Sequence, residues 1–240
     1  MKILAVIPAR IGSTRLPEKP LIKLNGKEMI QWVYEGTVES NHIDKVIVAT
    51  DSKKIFNCVE NFGGDAMMTS VNHKTGTDRV CEVVEKTEQD YDIIVNVQGD
   101  EPLINGKELD LLIEPMVEDG SIKLSTPIKK LESAKIEDNN IVKVVIDGDN
   151  FALYFSRSPI PYVRGEKTDF YKHIGIYSFR RDFLLKFKDW EQTPLEKAEK
   201  LEQLRVLENG YRIKTVMWNS VLHGVDTRED LEKVRAALCP

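Results

Sequence analysis

"KILAVIPARIGSTRLPEKPL", residues 2–21, joins an apolar run to a loop in which Arg10, Arg15 and Lys19 stand among Pro8, Gly12, Pro17 and Pro20. A near-continuous apolar run of this length reads as a strand covered on both faces, the pattern of a parallel sheet. Ligands of open α/β sheets bind beyond the carboxyl ends of the strands, so the loop after this strand is the first place to look for a site. Gly12, Ser13 and Thr14 offer close backbone and hydroxyl donors, while Arg15 supplies a planar fork and Lys19 a point charge. Together with Arg10 they suit a triphosphate, which carries several charges in a row. The plain alternative is a solvated turn, but its prolines and glycine fix this loop more than a turn requires. The loop is neither a P-loop nor GxGxxG, and the chain contains no GxG, which weighs against an ordinary ATPase or dehydrogenase.

Working outward, β-rich runs recur as "KVIVATD", "DIIVNVQ", "NIVKVVI", "FALYFS", "YKHIGIYSF" and "YRIKTVMW". Helical spacing fills segments around 28–39, 52–61, 76–88, 106–118 and 194–209. Strands alternating with helices predict a Rossmann-like α/β fold, with a mostly parallel central sheet and helices on both faces. Residues of about 120–180 are strand-rich and predict a β-rich extension of a single domain spanning 1–240. The start "TPLE" reads as Thr193 N-cap, Pro194 at the first helical position and Glu196 closing a capping box, with Gly210 past the helix end.

A chain of 240 residues with 41% hydrophobic and 30% charged residues has enough material for one sizeable core. Its formal net charge of -5 argues against nucleic acid as a partner, so the loop cations are a local feature. Three widely spaced cysteines, Cys58, Cys81 and Cys239, include no CxxC pair and fit a reducing cytoplasm better than a disulfide framework. The start "MKILAVIPAR" is too short in apolar residues for a signal peptide, and no run suits a membrane span.

The strand "DIIVNVQ" ends in "GDEPLI", which places Asp100 at the same sheet edge as the cationic loop. A carboxylate facing a phosphate site calls for a cation between them, and Mg²⁺ is the usual one. Asp226 in "HGVDTRED" is the candidate second carboxylate. It also reads as a helix cap, with Glu229 completing a capping box, and "GDE" also reads as a polar turn. In "HKTGTDR", Thr75 or Thr77 is a natural N-cap for the helix that follows.

"IPARIGSTRLPEKPL", "VIVATDSKKI", "HKTGTDRV", "IIVNVQGDEPLI", "ALYFSRSPIPY", "YKHIGIYSFR", "LEQLRVLENG" and "GVDTREDLEKV" occur in the order and at roughly the spacing of the 3-deoxy-manno-octulosonate (Kdo) cytidylyltransferases. The resemblance covers residues of about 3–236. The first motif is shared among sugar nucleotidyltransferases, whereas "YFSRSPIP", "KHIGIY" and "LEQLR" together point to this family. It implies a nucleotidyltransferase fold and a homodimeric, Mg²⁺-dependent enzyme that joins CTP to Kdo for lipopolysaccharide or capsule synthesis. It further implies that Arg10, Ser13, Thr14, Arg15 and Lys19 hold the triphosphate, that Asp100 and Asp226 hold the metal, and that Gly76, Thr77, Asp78 and Arg79 form the cytosine-side loop. Arg10, Lys19, Asp100 and Asp226 are then the catalytic set, while Gln98, Arg157, Arg164, His173, Tyr177, Glu202 and Gln203 match the sugar-binding positions. Two departures are Glu18, where the family often has Gly, and Thr75, where it has Ser. The alternatives are a relative acting on an amino-substituted Kdo or a sialic acid, and a non-catalytic nucleotide-binding regulator.

Overall fold

The computed structural model describes residues 1–12, 16–220 and 224–238. In chain order its strands are β1 (Ile3–Ala9), β2 (Lys23–Leu24), β3 (Lys27–Glu28), β4 (Lys45–Thr50), β5 (Ala66–Met68), β6 (Ile93–Asn96), β7 (Leu124–Lys130), β8 (Lys143–Ile146), β9 (Ala152–Ser156), β10 (Tyr171–His173), β11 (Tyr177–Arg180) and β12 (Lys214–Met217). The helices are α1 (Met29–Val38), α2 (Lys53–Asn61), α3 (Gly76–Lys86), α4 (Gly106–Glu118), α5 (Arg181–Lys188), α6 (Pro194–Glu199), α7 (Leu204–Glu208) and α8 (Arg228–Ala237). The chain divides into two compact units, one of Met1–Asp110 with Ser220–Pro240 and one of Leu111–Asn219.

In the first unit the strands run in the order β5-β4-β1-β6, and every pairing is parallel. The residues of β1 from Leu4 to Ile7 have no exposed surface, as their unbroken apolar run predicts. The chain steps outward from β1 to β4 and β5 and then returns to the other side of β1 as β6. That reversal is the topological switch point of the sheet, so the ends of β1 and β6 open the crevice where a ligand binds. Gly99 is needed at this crevice, because a Cβ there would come within 3.0 Å of the Pro8 carbonyl oxygen. A tight hairpin joins β2 to β3 through Asn25 (φ 48) and Gly26 (φ 90), residue types suited to positive φ. Leu24, Met29 and Leu16 then pack with Val225, Leu231 and Val234 in one apolar cluster, which ties α8 to the start of the chain.

In the second unit β7 is the hub, pairing antiparallel with β10 and β11 and parallel with β12, while β10 continues to β8 and β9. This sheet is mixed, and the parallel sheet expected from the sequence is that of the first unit. Neither β7 nor β5 stands out in the sequence. "LSTPIKK" carries a proline, which ordinarily argues against an inner strand. Pro127 is accommodated where the partner changes from β11 to β10, and its carbonyl accepts from the Ile174 N–H (3.0 Å).

The helix expected over 194–209 is two short helices. Thr193 is the N-cap with Pro194 first, and Glu196 accepts from the Thr193 N–H as expected (3.2 Å), but Lys200 turns left-handed (φ 58) and ends α6. The reason is the buried pair Glu196–Arg205, in which Arg205 Nε and Nη2 donate to the carboxylate at 2.7 and 2.5 Å. In an unbroken helix two residues nine apart lie half a turn around and about 13 Å along the axis, so this pair requires the break. Glu202 and Gln203 thereby sit in the connecting turn and not on a helix face. Gly210 (φ 78) follows α7 as expected.

Removing one partner of a fully buried ion pair leaves the other uncompensated. Glu196→Gln is therefore expected to lower unfolding free energy by roughly 3 kcal/mol, read from urea denaturation. A loss below about 0.5 kcal/mol would return the pair to the value of a surface bridge.

Candidate active site

The crevice at the ends of β1 and β6 is a cavity of about 550 Å³, lined by Arg10, Gly12, Lys19, His73, Lys74, Gly76, Arg79, Gln98, Asp100 and Asp226 among others. Its floor is organised by Lys19. The Lys19 ammonium donates to Asp100 Oδ2 (2.6 Å), to the Val225 carbonyl (2.8 Å) and to Asp226 Oδ1 (3.1 Å), which uses all three of its donors. Asp226 reaches this place because the Val225 N–H donates to the Asp100 carbonyl (2.9 Å), pairing the two segments directly.

The alternative reading of Asp226 as the helix cap is corrected. Thr227 is the N-cap of α8, and Asp230, not Glu229, closes the box by accepting from the Thr227 N–H (2.8 Å). Asp226 lies one residue before the cap, which leaves its carboxylate to the crevice. Lys19, expected as a phosphate ligand, also serves as the cation between the two carboxylates.

Arg10 is exposed and lines the cavity, while Ser13, Thr14 and Arg15 lie outside the described residues. Glu18 has a left-handed backbone (φ 52), a conformation that favours glycine. Its carboxylate is paired with Lys54 (2.5 Å), which directs that anion to α2.

On the opposite wall Thr75 is the N-cap of α3, and Asp78 closes its capping box by accepting from the Thr75 N–H (3.1 Å). Thr77 is buried. Arg79 is buried too, with Nη2 on Asp51 (2.8 Å) and Nη1 on the Thr69 hydroxyl, so its guanidinium braces the wall it lines. His73 and Lys74, which the sequence reading passed over, also line the cavity. His73 meets the carboxylate of Glu82, which also accepts from Lys86 (2.5 Å) and the Ser70 N–H (2.8 Å). Burial works to raise the pKa of Glu82, but these donors outweigh it and hold the carboxyl down to about 2.

Of the expected sugar-binding residues, Gln98 lines this cavity and the others belong to the second unit. There His173, Tyr177 and Gln203 form one cluster. The Tyr177 hydroxyl donates to Gln203 Oε1 (3.2 Å), Gln203 Nε2 lies 3.4 Å from His173 Nδ1, and the His173 ring stacks edge-on against Phe155 at 4.9 Å. Both rings keep some surface yet are surrounded by protein atoms. Desolvation pushes the pKa of His173 down to about 3 and that of Tyr177 up, the latter with help from the nearby Glu202 charge. Arg157 is oriented by carbonyls: Nε donates to Glu199 O (3.1 Å) and Nη1 to Asn139 O (3.2 Å), while its own carbonyl accepts from the wholly buried Lys143. Lys143 also donates to the carbonyls of Asp138 (2.9 Å) and Ile141 (2.8 Å), and burial lowers its pKa. Nothing in the pattern of "NIVKVVI" marks this lysine, since a strand lysine ordinarily faces water. Arg164 is exposed.

A parallel sheet whose switch point sets cations against a pair of carboxylates is built to handle a nucleotide polyphosphate, and fold and site together define a nucleotidyltransferase. The family model described as "Cytidylyltransferase" matches residues 4–214. The 3-deoxy-manno-octulosonate cytidylyltransferase of Fusobacterium nucleatum is 51% identical over 98% of this chain and 96% of its own length. That of Geotalea uraniireducens is 51% identical, with 98% of each chain covered. A solved CMP:2-keto-3-deoxy-manno-octonic acid synthetase complexed with CTP superposes with a TM-score of 0.95 at 44% identity, covering 99% of this chain and 98% of that one. The chain belongs to the 3-deoxy-manno-octulosonate cytidylyltransferase family. A 4-diphosphocytidyl-2C-methyl-D-erythritol synthase from Anaerococcus prevotii shares the fold at 15% identity and a TM-score of 0.68.

A hydrogen bond to a charged partner is worth about 1.5–3 kcal/mol, so Lys19→Ala is expected to weaken nucleotide binding by one to two orders of magnitude in calorimetric titration with CTP. Unchanged CTP affinity would limit Lys19 to bridging Asp100 and Asp226. Glu18→Gly removes a positive φ from a residue with a Cβ and is expected to raise the melting temperature slightly or leave it unchanged. A clear fall in that temperature would show the Lys54 pair to be worth more than the strain.

Proposed function

We propose that this chain transfers CMP from CTP to the anomeric hydroxyl of Kdo, releasing pyrophosphate, with Mg²⁺ as cofactor. Family membership with near-complete coverage supports the reaction. The observation that carries the site is the convergence of Asp100 and Asp226 on the Lys19 ammonium beneath the crevice. Two carboxylates this close suit a hard cation, which Mg²⁺ sites typically bind through one or two carboxylates completed by phosphates and water.

When bound, Mg²⁺ supplies charge neutralisation and polarisation at the phosphates. The chain's own residues bind and orient. Arg10 and Arg15 hold the triphosphate, Lys19 would turn to it once a metal occupied Asp100 and Asp226 in its place, and the loop of Gly76 to Arg79 meets the cytosine. Arg157, with guanidinium donors beyond those its two carbonyls use, meets the Kdo carboxylate. By the family pattern Arg164, His173, Tyr177, Glu202 and Gln203 of the second unit, and separately Gln98 of the first, are the residues assigned to its remaining groups. The anomeric oxygen bonds to the α-phosphorus as the bond to the β-phosphate oxygen breaks in line, and the hydroxyl proton passes to water. Catalysis of this kind is mainly positioning and electrostatic stabilisation.

The product feeds lipopolysaccharide or capsule assembly, and the enzyme works in the cytoplasm as a homodimer. No helix among the described residues is long and apolar enough to cross a membrane, and Cys58 and Cys81 are free thiols. Cys239 lies outside the described residues.

Pyrophosphate release is expected only when CTP, Mg²⁺ and Kdo are all present, and sialic acid or an amino-substituted Kdo in place of Kdo is expected to give much less. CTP binding without pyrophosphate release would favour the regulator. Asp100→Asn and Asp226→Asn are each expected to reduce turnover by at least a hundredfold with the melting transition preserved, since the cap of α8 belongs to Thr227. Near-normal turnover of either variant across a range of Mg²⁺ concentrations would refute the metal role.

A further inference from the structure

The cluster of His173, Tyr177 and Gln203 continues inward to a residue the sequence reading never singled out. Thr126 of β7 is wholly buried, and its hydroxyl lies 2.8 Å from the Ile176 carbonyl, 3.3 Å from the Ile174 carbonyl and 2.9 Å from His173 Nε2. A hydroxyl has one proton, and a carbonyl only accepts. The Ile176 carbonyl is the nearest acceptor and has no proton to offer in return, so we assign the proton to the main chain, and toward His173 the threonine oxygen acts as acceptor. His173 Nε2 must then carry a hydrogen. In the neutral ring, which burial favours, Nδ1 is bare and accepts from Gln203 Nε2. The carbonyl end of that amide consequently faces Tyr177, where it accepts the hydroxyl proton.

Every polarity in this run follows from the first bond. The proton of Tyr177 is committed to Gln203, so toward a ligand the Tyr177 oxygen acts only as an acceptor. A sugar hydroxyl meets it as donor, whereas a carboxylate or a deprotonated oxygen is repelled.

We propose that Thr126 is a positioning residue for sugar binding: by donating to the carbonyl beside it, Thr126 holds His173 as the Nε2–H tautomer and, through Gln203, leaves the Tyr177 oxygen as an acceptor for a substrate hydroxyl. This rests on the reading of His173, Tyr177 and Gln203 as sugar-binding residues. Thr126 touches no substrate and acts through the ring and the amide. Without its hydroxyl, His173 loses the acceptor that selects one tautomer. The Nδ1–H form then becomes accessible, the amide of Gln203 turns over, and Tyr177 is asked to accept where it had donated.

The test uses the full chain and two measurements. In the wild-type protein, ¹⁵N spectra of the labelled His173 ring are expected to show a neutral Nε2–H tautomer at pH 7. An Nδ1–H ring or an imidazolium there overturns the proposal without any variant. Thr126→Val keeps the shape and removes the hydroxyl, and it is expected to mix the tautomers and raise the KM for Kdo roughly five- to tenfold while the KM for CTP stays unchanged. Thr126→Ser is expected to restore both. A Thr126→Val ring that keeps the Nε2–H tautomer refutes the relay. A ring that changes tautomer with unaltered Kdo dependence also overturns the proposal, and places the fault in the sugar-site reading. Equal loss of CTP and Kdo dependence in both variants, with a lowered melting transition, marks Thr126 as a packing residue only.

Discussion

The contact of the Lys19 ammonium with Asp100, Asp226 and the Val225 carbonyl joins three segments that are remote in sequence. Each partner depends on the others. Two carboxylates so close together repel strongly unless a cation stands between them, and a lysine ammonium in a crevice is costly unless its donors are met. Two carboxylates against one ammonium leave a formal charge of -1 on the floor. Arg10 and Lys74 line the rest of the crevice beside Arg79, whose charge Asp51 meets, so cations stand over an acidic floor. A polyphosphate and a divalent ion fit such a surface together better than either does alone.

The surrounding fold serves to hold that contact in place. β1 and β6 end side by side at the switch point, delivering the cationic loop and the "GDE" turn to one edge. Gly99 permits the close approach of that turn to Pro8. The apolar cluster of Leu16, Leu24, Met29, Val225, Leu231 and Val234 fixes α8, and with it Asp226, against the first loop. A small hydrophobic cluster thus sets the position of a charged group. Buried apolar side chains have few alternative packings, whereas an exposed carboxylate has many rotamers.

The second unit uses different chemistry. Around the expected sugar-binding residues the side chains of Lys143 and Arg157 rest on main-chain carbonyls, and His173, Gln203 and Tyr177 form an uncharged run. An array of this kind fixes the direction of each hydrogen bond without adding net charge, which suits recognition of a polyol better than recognition of a phosphate.

Much of this was legible in the sequence for definite physical reasons. Covered parallel strands read as apolar runs, so β1, β4 and β6 stood out, and the loop after β1 declared itself by cations set among prolines. Asp100 followed from its place at a strand end. Elsewhere the sequence alone was misleading. β7 was hidden by Pro127, because whether a proline breaks a strand depends on where the neighbouring strand changes. The break at Lys200 is hidden because apolar residues spaced by three, Leu195, Ala198, Leu201 and Leu204, continue through it, and only the buried pairing of Glu196 with Arg205 requires the chain to turn. In the sequence Asp226 fits a metal role and a cap equally, and only the fold gives the cap to Thr227. Lys143 and Thr126 carried no local signal at all. Local pattern and charge determined which segments become the covered strands and where the cationic loop and the strand-end carboxylate lie. Which carboxylates share a cation, which helix breaks and which tautomer a histidine holds were decided by contacts between residues from nine to about two hundred positions apart, and those exist only once the chain has folded.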